Sequence, residues 1–354
     1  MMRAAVFTDY GEPLAVRDVE APTADPTGVV VETEACGICR SDWHAWAGDW
    51  TWSGVECFEG QILGHEPAGR VIEVGEDVVG IDIGDHVTVP FNIADGTCPQ
   101  CQKGRGNLCD SELLLGFFES IPGAFAEQFH VPHAQVNAVE LPDGVSSTDM
   151  ASMGCRFMTA FHGVVHQAGI APGDWLAVHG CGGVGLSAVH IGEALGANVV
   201  AVDVDDDTLS LAKDLGASAV VNARETDDVP SAVEALTDGG AHVSVDALGI
   251  AETCRNSVLS LRKRGTHVQI GLTTEEEQGE ITLPTDMMVG TELTFVGSKG
   301  MPAAQYDEIF RMVSQGTIDP GKVISEEVGL EETSATLAAM TDFDTFGIPV
   351  ITEF

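Results

Sequence analysis

The chain has 354 residues, 44% of them hydrophobic, which is enough for more than one buried core, and its formal net charge is -39, from 16 Lys plus Arg against 55 Asp plus Glu. So acidic a surface repels nucleic acid and anionic lipid, yet the chain is too apolar to be a disordered acidic one, and no apolar run approaches the roughly eighteen residues of a membrane span. Self-repulsion at this charge opposes the compact state in dilute salt, so a cytoplasm of very high salt is expected, with no export signal at the amino end.

A strand is expected at residues 3–7, and short Val/Ile runs broken by Gly, Pro and Asp follow at 29–31, 71–74 and 86–90, so the first segment reads as a mostly β domain. From about Cys155 the rhythm changes to apolar strand, turn and helix. Strands are expected at 175–179, 198–203, 219–221, 242–246 and 266–270, with helices between them. Alternating β and α units predict a parallel, doubly wound sheet with helices on both faces. Beyond about Gly290 come a strand at 293–296, a helix near 305–315 and a C-terminal strand at 348–352, a segment expected to return to the first domain. The acidic triplets 205–207 and 275–277 read as solvated turns.

The turn Gly180-Cys-Gly-Gly-Val-Gly185 follows an expected strand and opens an expected helix, and Asp203 ends the next strand about twenty residues on. Gly180, Gly182, Gly183 and Gly185, with Val184, allow a tight turn and let backbone amides at the helix start receive a pyrophosphate. Asp203 would accept hydrogen bonds from the adenosine ribose and repel a 2′-phosphate, so NAD is favoured over NADP.

The nine cysteines do not show the spacing of a secreted disulfide framework; six group at 36/39, 98/101/109 and 155, which suits zinc in a reducing cytosol. Cys36, Cys57 and Cys254 read as small buried hydrophobes and Cys181 as the variable residue of the glycine turn.

Three segments, Cys36-Gly-Ile-Cys-Arg-Ser-Asp-Trp-His44, Gly64-His-Glu-Pro-Ala-Gly69 and Gly154-Cys155, stand in order ahead of the glycine turn, and with it the whole chain resembles the zinc-dependent medium-chain alcohol dehydrogenases. The acidity suggests a halophilic archaeal member. The resemblance implies a split β-rich GroES-like catalytic domain at 1–154 and 290–354, with an inserted Rossmann dinucleotide-binding domain at 155–289. It implies that Cys39, His65 and Cys155 bind a catalytic zinc with one open position, where an alcohol loses its proton and passes hydride to the nicotinamide ring. Ser41 and His44 match the family's proton relay, Asp42 the residue that orients the ligand histidine, and Glu66 a carboxylate beside the metal. Arg40 matches a residue facing the cofactor pyrophosphate and Thr159 one beside the nicotinamide; Ile270, Gly271 and Leu272 should pass its carboxamide edge.

The family's structural zinc lobe, expected near 92–112, departs from the usual four cysteines. Cys98, Cys101 and Cys109 take three positions and Asp95 stands at the fourth. A carboxylate is an acceptable zinc ligand, so a second, structural zinc is expected; a lobe without metal, its thiols free, is the alternative.

Trp43, Trp46, Trp50 and Trp52 fall within ten residues. They either line an apolar substrate channel with Phe91 or pack a small lobe against the β domain. Polyol and sugar dehydrogenases of this architecture often carry a carboxylate where this chain has Cys155, so a simple alcohol or its carbonyl partner is favoured over a polyol. A non-catalytic nucleotide-binding redox protein, or a zinc-free quinone or enoyl reductase, need not keep Cys39, Ser41, His44, His65 and Cys155 together. The resemblance also implies a homodimer or homotetramer paired through an edge strand of the dinucleotide sheet, for which 293–296 is the candidate.

Overall fold

The computed structural model describes residues 1–111, 113–341 and 347–354. Residue 112, the end of the expected zinc lobe, lies outside the described residues.

The first part of the chain is β1 (Met2–Val6), β2 (Ala15–Val19), β3 (Val29–Gly37), α1 (Arg40–Ala47), β4 (Glu66–Val74), β5 (His86–Thr88), β6 (Asn92–Ile93), β7 (Leu113–Leu114), β8 (Gln128–Val131), α2 (Ala134–Asn137), β9 (Val139–Glu140) and α3 (Ser147–Phe161). The middle part is β10 (Trp175–His179), α4 (Gly183–Ala194), β11 (Asn198–Asp203), α5 (Asp206–Asp214), β12 (Ala219–Asn222), α6 (Val229–Thr237), β13 (Ala241–Asp246), α7 (Ala251–Leu259), β14 (Leu261–Gln269), α8 (Thr285–Thr291) and β15 (Thr294–Gly297). Finally come α9 (Tyr306–Ser314), β16 (Ile324–Gly329), α10 (Thr333–Thr341) and β17 (Ile348–Glu353).

Two compact units result, one of residues 1–158 with 300–354, the other of residues 159–299. The first holds a sheet of order β16-β17-β3-β4-β5-β9, with β8 on β3, and the C-terminal β17 pairs antiparallel with β3. The alternating run of β3 buries Val29, Val31, Cys36 and neighbouring positions in a core shared with Phe125, Phe129, Leu63 and Trp46.

The second unit is one parallel sheet of order β12-β11-β10-β13-β14-β15. This is the doubly wound order, whose reversal lies between β10 and β13. Its central strands are near-continuous Val/Ala runs because helices cover both faces, and Leu176, Val200 and Val245 are fully buried. The expected return at 290 comes too early. Residues 294–297 pair in parallel with β14, Thr266 opposite Thr294, so backbone hydrogen bonding keeps this strand in the nucleotide sheet and the unit runs to Lys299. The other expected boundary, at 154/155, falls inside α3, with the unit beginning at Thr159. No helix among the described residues is long and apolar enough to cross a membrane.

Candidate active site and nucleotide turn

Cys39 is the N-cap residue of α1, just beyond the end of β3. Gly37 on β3 lies opposite Glu66 on β4, so the antiparallel register carries Cys39 alongside the Gly64-His65-Glu66 segment. Cys155 comes from α3, where Gly154 breaks the helix at φ -6°, ψ -112°. Any side chain at 154 would collide with Glu66, since a Cβ there would lie 2.4 Å from the Glu66 Cβ. Through this kink the Cys155 N–H donates to Glu66 Oε1 at 2.8 Å. Ligand-type atoms of Cys39, His65, Glu66 and Cys155 all lie within 4.8 Å of one another.

Asp42, fully buried, ties two of these segments together. Its Oδ2 accepts from the Cys39 N–H at 2.9 Å, and its Oδ1 accepts from Gly64 N–H at 3.1 Å and from His65 Nδ1 at 2.9 Å. The last bond places the ring proton on Nδ1 and leaves the His65 Nε2 lone pair free, and that nitrogen is buried without a hydrogen-bond partner. An orphaned imidazole nitrogen among two thiols is a fit for a soft or borderline divalent cation. Electrostatics agree: the Cys155 S–H donating to Cys39 pulls the Cys39 thiol well below its usual 9.0, against the cost of burial. Burial opposes a charge on His65, but Asp42 and Cys39 raise its pKa well above 6.5.

Glu66 is held from behind. Its Oε1 receives the Cys155 and Arg156 backbone N–H groups and Arg156 Nε at 3.1 Å, while Oε2 pairs with the other end of the guanidinium. Arg156 NH1 also donates to the Ile38 carbonyl at 3.0 Å. Burial raises Glu66 to about 7 even against this cation. Sequence reasoning missed Arg156. The available signal was a guanidinium directly after Cys155 in a chain with only 16 Lys plus Arg.

Ser41 and His44 both lie on α1, three residues apart and so on one side of the helix. Arg40 stacks its guanidinium 3.7 Å over the Trp43 ring and donates to the Met340 carbonyl. The tryptophans have different surroundings. Trp46 is core, its indole N–H donating to the Glu12 carbonyl at 2.7 Å, whereas Trp50 stacks on the His44 ring with centroids 4.4 Å apart. Phe91 meets the His65 ring edge-on at 5.9 Å, and Phe117, which sequence reasoning did not single out, packs on the same ring at 5.1 Å.

Asp95, Cys98, Cys101 and Cys109 come together as a second set of ligand atoms, again within 4.8 Å. Backbone N–H groups of Cys101 and Asp110 point at Cys98 Sγ, each at 3.4 Å, and that of Asp95 at Cys109 Sγ, also 3.4 Å. Thr97 and Cys98 amides hold one Asp95 oxygen and keep its carboxyl well below the ordinary range.

In the other unit Gly180 follows β10 at φ 84°, and Gly182 caps α4. Gly185 is packed so closely that a Cβ would lie 1.9 Å from the Gly180 carbonyl oxygen, whereas the space beside Gly182 is open. The open amides at the α4 start are a cradle for a phosphate. Asp203 ends β11 with its carboxylate already engaged: Oδ2 accepts the Cys181 N–H at 2.6 Å, and Oδ1 accepts those of Val204 and Asp205. It therefore braces the glycine turn, and an ionised carboxylate keeps a lone pair on Oδ2 for one hydroxyl more. Ile270 and Gly271 follow β14 with both amides on the Asp246 carbonyl, and Leu272 beyond them is 64% exposed. Thr159 is buried with an unpaired Oγ1.

Residues 25–143 match the alcohol dehydrogenase GroES-like domain, and residues 183–315 match the zinc-binding dehydrogenase domain. An alcohol dehydrogenase of Geobacillus stearothermophilus is 34% identical over 331 residues, spanning 93% of each chain. The solved alcohol dehydrogenase TADH of Thermus sp. ATN1 is 30% identical with a TM-score of 0.91 over 100% of both chains. That of the hyperthermophilic archaeon Aeropyrum pernix is 29% identical with a TM-score of 0.87 over 99% of both. A match of this extent, over both domains, places the chain in the zinc-dependent medium-chain alcohol dehydrogenase family.

Proposed function

We propose that Cys39, His65 and Cys155 hold a zinc ion, and that the chain interconverts simple primary or secondary alcohols with their aldehydes or ketones, using NAD in preference to NADP. The observation that carries the metal assignment is His65 Nε2, buried, unpartnered and fixed in place through Asp42. Zinc bound there would supply a Lewis acid that lowers the pKa of an alcohol hydroxyl, and the nicotinamide would accept or return the hydride.

The chain's own residues do the rest. Asp42 fixes the ligand tautomer and the spacing of Cys39 to His65, and Arg156 keeps the Glu66 oxygens occupied beside the metal. Ser41 passes the hydroxyl proton outward and His44 delivers it to solvent. Phe91 and Trp50 shape an apolar path for the carbon skeleton. The amides of Gly182, Gly183, Val184 and Gly185 receive the pyrophosphate, Arg40 matches the family's residue that faces it, and Asp203 takes a ribose hydroxyl and disfavours a 2′-phosphate. Thr159, Ile270, Gly271 and Leu272 flank the nicotinamide. Asp95, Cys98, Cys101 and Cys109 hold a second, structural zinc.

Two copies pair through the outer edge of β15, where Phe295 is 39% exposed, and the -39 surface suits a cytoplasm of very high salt. The test is a panel of alcohols and carbonyls with NADH and NADPH, with zinc quantified, in dilute and molar KCl. Turnover of short alcohols with higher kcat/KM for the NAD pair is expected. No turnover at full zinc occupancy sinks the enzymatic reading, and an advantage for NADPH sinks the Asp203 argument.

A further inference from the structure

The chain leaving α1 turns back on the helix and brings a carboxylate to its last turn. Gly48 caps α1 in the left-handed conformation at φ 77°, and the Asp49 N–H closes the end by donating to the His44 carbonyl at 2.9 Å. This reversal sets Asp49 Oδ2 at 2.5 Å from His44 Nδ1. The same loop lays Trp50 flat on the imidazole, with planes 11° apart, while Trp43 meets the ring nearly edge-on at 5.0 Å. The ring is therefore clamped on a face, an edge and one nitrogen. Both members of the pair retain some solvent contact, with side chains 17% and 21% exposed.

A carboxylate on Nδ1 accepts the Nδ1 proton and leaves Nε2 as the basic nitrogen, the same logic by which a buried carboxylate orients a general base. The flat indole face favours a cation on the ring it covers.

We propose that Asp49 is a positioning residue of the proton exit: it holds His44 as the Nδ1–H tautomer so that Nε2 is the nitrogen that exchanges the proton. This rests on the assignment of His44 to the relay. In alcohol oxidation the O–H bond breaks with its electron pair left on oxygen, and the proton arriving by way of Ser41 forms an N–H bond at Nε2. The resulting imidazolium faces the Asp49 carboxylate, then gives the Nε2 proton to water or a buffer base and returns to neutrality. The charges around the ring fit a group that must let go of its proton: burial lowers the His44 pKa below 6.5, Arg40 also lowers it, and Asp49 and Cys39 limit the fall.

The test measures the single-turnover rate of cofactor reduction by an alcohol in the zinc-loaded enzyme, against imidazole buffer concentration, for Asp49→Asn, Asp49→Ala, His44→Ala and Asp49→Asn/His44→Ala. Both Asp49 variants are expected to keep zinc content and melting temperature, to be about tenfold slower in dilute buffer, and to recover as imidazole replaces the misdirected ring. The double variant is expected to be no slower than His44→Ala, because Asp49 acts only through that ring. If His44→Ala is slow and rescued while both Asp49 variants stay within about twofold of the parent, the inference about Asp49 is overturned and the relay stands. Slow Asp49 variants that imidazole fails to rescue, or that lose zinc, also overturn it, because they mark a structural role. If His44→Ala itself turns over at the parent rate at every buffer concentration, the relay assignment falls and takes the inference with it.

Discussion

Replacing Arg156 by Met keeps much of the side chain's volume but removes the guanidinium bonded to Glu66. Two of its nitrogens engage the Glu66 carboxylate and a third reaches the Ile38 carbonyl, all in a site where Glu66 is 1% and Arg156 4% exposed. Breaking a buried pair from one side costs about 3–5 kcal/mol, because the remaining charge is stranded, and in a unit of this size that lowers the melting temperature by roughly 6–20 °C. The loss depends on pH with a definite sign. Glu66 has its folded pKa raised to about 7 from 4.5, so its contribution is full below 4.5 and is lost as pH rises through about 7. Without the guanidinium that pKa climbs further, so Arg156→Met should differ from the parent least near pH 5.5 and most near pH 8.5. Adding Glu66→Gln removes the stranded charge and should recover most of the loss at pH 8.5. Thermal or urea unfolding of zinc-replete protein at three pH values is the assay. A loss of under about 1 kcal/mol at pH 8.5, or a double variant as unstable as the single, would refute the reasoning.

Asp95→Ala should lower bound zinc from about two ions per chain to about one and destabilise the protein, while kcat for a short alcohol changes little; metal analysis showing no loss of zinc contradicts the four-ligand lobe. His179 is buried, with its pKa pushed down to about 3 by burial and the nearby His267, so its contribution is complete above 6.5 and lost as pH falls toward 3. Between pH 6.5 and 4.5 this removes about 2 kcal/mol, and His179→Val should flatten that slope in urea unfolding; an unchanged slope assigns the acid sensitivity elsewhere. With a net charge of -39, the melting temperature should climb between dilute and molar KCl, and a flat dependence would exclude adaptation to salt.

Much of the site was legible in the sequence because its chemistry is written in short segments. Cys39, Asp42 and His44 share one short helix and its cap, His65 and Glu66 are adjacent, and the ligands of the second set lie within fifteen residues. Their roles were readable through the resemblance of these segments to the family's, and the structure brings the ligand-type atoms of both sets together. The strand rhythm after Cys155 likewise announced a parallel sheet, since strands covered on both faces must be apolar throughout. The domain boundary was harder: the resemblance offered 293–296 as an edge of the dinucleotide sheet, yet no local mark shows where the chain leaves that unit, and pairing with β14 carries it past 290.

What the sequence alone determined is thus the two architectures, with the family resemblance naming the candidate groups they carry. Only the tertiary structure decided how those groups constrain one another. It set Arg156 on Glu66 across 90 residues, let Gly154 break α3 so that Cys155 could reach the cluster, and turned Asp203 toward the amide of Cys181. It also folded Asp49 back onto the ring of His44. These are contacts between segments that no local pattern encodes, because they exist only when the packing of the whole unit has fixed strand register and helix ends.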